Sequence, residues 1–222
     1  DKITENLTFR IPTDYPNLQD AVNQLYEQYS SGNYTIELVL ELGYKITSPI
    51  VFQNGDYSHF RIISEGVTVE LDTLFPKEDV FTIKNCRSPI FSVLFDGKGL
   101  CRSGFMVDEG SILKIEQGYG FTYAGEYGVF VRGASSAYIE NTVFTNNSQD
   151  GNSSSGYSGI LAWGGQIFAE GADASNSGTY GAQAAAGGFL SFRDGKANSC
   201  ARHGIRATNA GTVDARNAQA NN

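Results

Sequence analysis

GFMVDEGSILKIEQGYGFTYAGEY (104–127), GVFVRGASSAYIENTVFTNNSQDGNSSSGYS (128–158), GILAWGGQIFAEGADASNSGTY (159–180), GAQAAAGGFLSFRDGKANSCARH (181–203) and GIRATNAGTVDARNAQANN (204–222) follow one another without a break, and each opens on glycine. The starts Gly104, Gly128, Gly159, Gly181 and Gly204 are spaced by 24, 31, 22 and 23 residues. Inside each line the same beats recur: a short alternating strand, a turn of small residues, a second strand, and a third that ends near Asn. A period of this size marks a repeat architecture, whose units cannot bury their apolar side chains alone and must stack on their neighbours. Each line is therefore read as one coil of a parallel β-solenoid, stacked at about the 4.8 Å strand spacing. Three residues after the glycines stand Val107, Val131, Ala162, Ala184 and Ala207, a column predicted to face inward and to narrow the core toward the C-terminus. Asn176, Asn198 and Asn221 stand seventeen after the later starts, where stacked amides would form a ladder at a turn. The LxxLxL framework of leucine-rich repeats is absent.

Ahead of these lines, one segment has a helical period. In PNLQDAVNQLYEQY, Leu18, Ala21, Val22, Leu25, Tyr26 and Tyr29 share a face, with Pro16 in the first turn, Thr13 or Asp14 as caps and SSGN (30–33) as the stop. Then come strand-like runs at 35–42, 48–52, 59–64, 67–71, 80–83 and 90–95, rich in β-branched and aromatic residues and split by turns such as NGDY. A lone amphipathic helix before a solenoid has a physical role, since it covers the open edge and exposed core of the first coil. The alternative is an ordinary α+β domain with the helix packed on a sheet. The organisation expected is a lead-in and capping helix over 1–33 and the solenoid over 34–222.

Composition agrees. The chain has 26 Gly, 12 Tyr and 14 Phe, only 5 Pro, and 18% charged residues, below the usual quarter or so. Its net charge of −8 is spread along the chain and its cations form no stripe, which argues against nucleic-acid binding. No stretch is apolar enough to cross a bilayer, and DKITENLTFR does not read as a signal, so no membrane insertion is expected. Cys86, Cys101 and Cys200 have no CxxC spacing and are read as small buried hydrophobes rather than a disulfide framework or zinc site. Sequons stand at Asn6, Asn33, Asn146 and Asn152, a chance expectation in a chain rich in Asn, Ser and Thr.

GIRATNAGTVDARNAQANN and GILAWGGQIFAEGADASN look like coils of the pectate-lyase-like β-helices of bacteriophage tailspikes and tail fibres. The short helix followed by TIELVLELGYKITSPIVFQNGDYSHFRIIS and VTVEL resembles their opening coils, so the likeness covers almost the whole chain. The resemblance implies an all-β, right-handed parallel β-helix with an N-terminal capping α-helix. It implies a virion tail protein assembled in the host cytoplasm, a homotrimer that binds host cell-surface polysaccharide and meets other tail or baseplate proteins. The last line stops at Asn222 with no cap, so the natural protein is expected to continue or to have that end covered by another subunit.

Tailspikes of this kind often cut the polysaccharide with carboxylates on the outer face. Retention requires a carboxyl separation of about 5 to 5.5 Å and inversion about 6.5 to 9.5 Å. Glu116 and Glu140 stand twelve after their glycines, Glu170 eleven and Asp194 thirteen, a candidate acidic column. A solvated charged face is the bland reading of the same residues. The 31-residue line carries an extra loop with Asp150 as a further candidate acid. Tyr157 and Trp163 are candidates for a sugar-stacking platform, with core packing the alternative for Trp163. Arg202, His203 and Arg206 could serve a lyase, or form a solvated corner. His59 and His203 offer no metal centre, and no cofactor motif is present. Three functions fit this sequence: a host-recognition shaft, a polysaccharide depolymerase (hydrolase or lyase), and a secreted non-viral pectinase-like or adhesin β-helix. The fold hosts all three.

Overall fold

The computed structural model describes residues 6–28, 34–150 and 156–221. Its helix runs from Leu18 to Gln28, and Leu18, Ala21, Val22 and Leu25 are buried in the core. The cap is Asn17, not Thr13 or Asp14: its side-chain oxygen accepts from the Asp20 backbone N–H at 2.9 Å, and its amide donates to the Asp20 carboxylate at 2.8 Å. Asp14 instead accepts from the backbone N–H of Arg10 at 2.7 Å. The Gln19 side chain then completes the exposed edge of the sheet beside it. It accepts from the Val51 N–H at 2.6 Å and donates to the Val51 carbonyl at 3.2 Å, which satisfies groups that would otherwise lie open to pairing. Before the helix, Leu7–Ile11 already pairs in parallel with Ile36–Leu40, so the first rung begins in the lead-in.

Among the described residues the strands form an eleven-stranded and a seven-stranded sheet, and every strand pair is parallel. Single parallel bridges linking Gly120, Val143, Asp173, Lys196 and Gln219 make a third row. The fold is the right-handed parallel β-helix with a helical cap. In the seven-stranded sheet Val107, Val131, Ala162, Ala184 and Ala207 pair in sequence along the axis, as their spacing predicts. The leading glycines form their own column three residues earlier on each strand. A Cβ on Gly104 would stand 2.6 Å from the Gly128 carbonyl oxygen, one on Gly128 2.7 Å from that of Gly159, and one on Gly181 2.7 Å from that of Gly204. No side chain fits there, which is why the repeat begins on glycine. Inward residues alternate with outward ones, and Phe52, Phe60, Phe81, Phe91, Phe95, Phe105, Phe121 and Phe144 fill the earlier coils completely buried.

Two expectations shift. The runs at 59–64 and 67–71 are one strand, Phe60–Leu71, whose pairing register jumps between Ile63 and Thr68. The asparagine column is offset: the Asn176 N–H donates to the Asn198 carbonyl, so Asn176 stacks over Ser199, while Asn198 accepts on its side chain from the Asn221 N–H at 2.8 Å. The cause is one extra residue in a turn. Trp163 pairs with Ala185 and Gln166 with Phe189, so Ala186, Gly187 and Gly188 stand opposite only Gly164 and Gly165. Asn33 and Asn152, with part of the inserted loop and the SSGN stop, lie outside the described residues. All three cysteines are buried as free thiols, and desolvation pushes Cys86 up to about 11 and Cys101 to about 12.

Candidate functional site

A hollow of about 660 Å³ lies on the outer face of the seven-stranded sheet. Its floor is one column of outward residues, Val51, Thr82, Met106 and Phe130, paired in register on successive coils. Three strand spacings make the floor about 14 Å long. The groove runs along the solenoid axis because the column does. Beyond Phe130 the column continues as Leu161 and Gln183, which are buried although they point outward, and Ser158 donates to the Gln183 side chain at 2.8 Å.

One wall carries Lys84 and Arg132. Between them in register, Asp108 accepts from Arg132 Nε at 2.7 Å and Nη2 at 2.5 Å. The other wall carries Glu78, Asp79, Arg102, Glu126 and Tyr127. Asp79 is buried and held by both arms of Arg102, with Nε at 3.0 Å, in a bidentate pair. Glu126 is different. Desolvation raises its pKa above the ordinary glutamate range, Asp150 and Asp79 add to the rise, and a hydrogen bond with Tyr157 and the charge of Arg102 only partly offset it. Tyr127 is pushed up to about 12, first by desolvation and then by Glu126. Its ring lies 4.8 Å from Phe130 and edge-on to Tyr157 at 5.4 Å. A carboxyl that holds its proton more tightly than usual, beside a groove, has the character of a general acid.

Sequence reading reaches this place only in part. Asp150 stands at the edge of the cluster, in an ion pair with Lys77 at 2.8 Å, and Tyr157 reaches Glu126. Trp163 is not core: it is 45% exposed and pairs in register with Arg132, beside the opposite wall. The two aromatics named for sugar stacking thus flank one groove. Asp79, Arg102 and Glu126 were not singled out. A usable signal existed, since Arg102 and Glu126 both stand two residues before their coil's glycine.

The acidic column is on the other sheet and loses a member. Ser136 pairs with Ile112 and Gln166 with Ser136, which brings Glu116, Glu140 and Glu170 into register, but the pairing of Phe189 with Gln166 puts Arg193 next in line and moves Asp194 one place on. The longer turn before Phe189 accounts for it. Glu116 meets Ser92 at 2.5 Å and Arg61 at 2.6 Å, and Glu170 meets Arg193 at 2.9 Å. Desolvation raises both carboxyls, yet these partners outweigh it and hold them below the ordinary range, which suits ion pairs and not proton donors. Arg206 lies over the Tyr180 ring at 4.5 Å, Tyr180 stacks with His203, and Arg202 donates to the Tyr180 hydroxyl at 3.2 Å, so these three residues are spent on one tyrosine.

A stacked parallel solenoid with a glycine-led period matches one family model, described as right-handed beta helix region, over residues 77–222. The chain belongs to the right-handed β-helix family. No curated protein matches it. In this β-helix the groove floor at Thr82, Met106 and Phe130 and the wall at Asp79, Arg102 and Glu126 lie within the matched region, while Val51 and the capping helix precede it. Among the described residues no cluster of His, Cys, Asp and Glu is arranged to hold a metal ion, and no helix is long and apolar enough to cross a membrane.

Proposed function

We propose that this β-helix is the shaft of a phage tailspike or tail fibre protein and binds host cell-surface polysaccharide along the groove of the seven-stranded sheet. One observation carries the reading: a groove parallel to the axis, with Phe130 and Met106 in its floor, is flanked by a half-exposed tryptophan and a tyrosine pair. Sugars are bound by such surfaces, where aromatic rings meet C–H faces and planar polar groups meet hydroxyls. The groove's two guanidiniums are each tied to an aspartate, so neither is free for a uronate; a ligand of hydroxyls fits better than a polyanion. Three parallel copies and attachment to other tail or baseplate proteins belong to the same reading. A light-scattering mass of three times 24.0 kDa supports it and a monomer counts against it. The binding test is an array of bacterial capsular and lipopolysaccharide glycans, with Phe130→Ala expected to weaken the retained glycan about ten-fold. An array with no retained glycan defeats the proposal.

A second reading, depolymerase, is favoured by Glu126. A carboxyl whose pKa is raised by desolvation, on the same wall as the Arg102-bound Asp79, supplies a hydrolase acid and a second carboxyl near it. New reducing ends without unsaturated uronates, lost in Glu126→Gln, support it; intact polymer leaves binding alone.

A further inference from the structure

The eleven-stranded sheet has its own hollows on the outer face. One of about 510 Å³ is lined by Ile112, Lys114, Glu116, Gln117, Tyr138 and Glu140, and another of about 390 Å³ shares Ile112 and Lys114 with it and reaches Ile90 and Ser58. Ile90, Lys114 and Tyr138 pair in register, so the two hollows form one trough along the axis that ends at Tyr138. Behind Tyr138 the next coil supplies Phe168, whose ring is parallel within 10° at 5.1 Å. That contact fixes the tyrosine ring, covers one of its faces, and leaves the other toward Lys114 and the hollow; the residue is 44% exposed. Glu140 stands at the rim. Its column neighbours Glu116 and Glu170 are engaged by Arg61 and Arg193, whereas Glu140 makes no hydrogen bond or ion pair with the described residues. Gln117 and the neighbouring Asn141 add two amides beside it.

We infer that this trough is a second carbohydrate site, in which a neutral pyranose stacks its C–H face on Tyr138 and gives hydroxyl hydrogens to Glu140. A ring preorganised by Phe168 loses little freedom on binding, and an exposed acceptor without a partner is what a sugar hydroxyl completes. The charge pattern at the Tyr138 end selects the class: Lys114 and the unpaired Glu140 stand there with opposite signs, Glu116 is spent on Arg61, and Arg87 lies in the far hollow, so a neutral ring suits this end of the trough. The inference rests on the polysaccharide reading above, and adds that one chain holds the polymer on two faces, which multiplies avidity without new chemistry.

Calorimetry of the full chain with short fragments of the array-identified polysaccharide tests it. Two sites per chain are expected. Tyr138→Ala should remove one of them by weakening it about ten-fold or more while Trp163 fluorescence still responds to the other, Tyr138→Phe should keep both, and Glu140→Gln should weaken only the Tyr138 site. Because Tyr138 and Glu140 are exposed, these variants keep the fold. One site per chain, sensed by Trp163 and indifferent to Tyr138→Ala, overturns the inference and leaves the polysaccharide reading standing. A change of oligomeric state in Tyr138→Ala with saccharide stoichiometry unchanged also overturns it, since the face would then be covered by another copy. No heat and no fluorescence change with any fragment overturns both.

Discussion

The two halves of the solenoid solve the same packing problem with different side chains. In the earlier coils Phe105 is surrounded by the rings of Phe81, Phe91, Phe95, Phe121 and Phe144, at centroid distances from 4.9 to 6.5 Å. In the later coils the inward positions are Ala162, Ala169, Ala172, Ala174, Ala182, Ala184 and Ala197, with Ile160, Ile167, Leu190 and Phe192 among them. These inward positions are buried in both halves, and only in the coil from Gly204 onward are Ile205, Val213 and Ala218 partly open and Ala207 exposed, so up to Cys200 the difference is one of side-chain size. A wide aromatic coil carries the outward groove at Phe130, where the insertion after Phe144 also supplies Asp150 and Tyr157. On the alanine coils the same outward column continues as Leu161 and Gln183, which are buried instead of lining a groove.

The largest effect expected is from Phe105→Ala. Removing a ring held by five others leaves a cavity that this rigid stack cannot close, for a loss of about 3–5 kcal/mol in chemical denaturation. A loss under about 1 kcal/mol would mean that the aromatic half is not closely packed. Next comes Ala184→Leu, which tests whether the later coils are narrow and full. Overpacking there should cost about 1–3 kcal/mol, and a neutral or stabilising result would show spare volume. Arg193→Ala, at the exposed ladder of the later coils, should change stability by less than about 1 kcal/mol at neutral pH, because surface ion pairs contribute little.

The smallest effect concerns pH. Glu126 has its folded pKa raised, so the folded state binds the proton more tightly than the unfolded chain; stability falls as pH rises from the unfolded glutamate value through the raised one. Glu126→Gln should therefore be slightly more stable than the parent at neutral pH, with the gap closing in acid. Glu116 and Glu170 run the opposite way, contributing above the unfolded value and losing that contribution as the pH falls through their depressed pKa values. Melting curves across that range separate the two signs, and a parent as stable as Glu126→Gln at neutral pH contradicts the raised pKa of this half-buried acid.

How much of this was legible in the sequence depends on the distance over which a residue's role is decided. The glycine column was legible because each glycine is demanded locally, by a backbone approach that no Cβ survives. The helix face from Leu18 to Leu25 and the buried column from Val107 to Ala184 were legible for the same reason, since period and size are local, whereas Ala207 keeps the register but is exposed and Tyr29 lies outside the described residues. Register across a variable turn was not, and one extra residue at Gly187 sufficed to misplace Asn176 and Asp194. Trp163 stayed ambiguous because a strand residue's inward or outward phase needs its neighbours. Asp79 and Glu126 were invisible as a set, since they share a wall only once the coils are stacked.

Trp163 is the chain's single tryptophan and pairs in register with Arg132 of the groove wall, so its fluorescence is placed to report on that groove. Titration with the array-identified polysaccharide should shift its emission to the blue and protect it from acrylamide quenching, with both changes lost in Phe130→Ala. A polysaccharide that binds the chain by calorimetry yet leaves Trp163 emission and quenching unchanged would contradict the placement of the ligand in this groove.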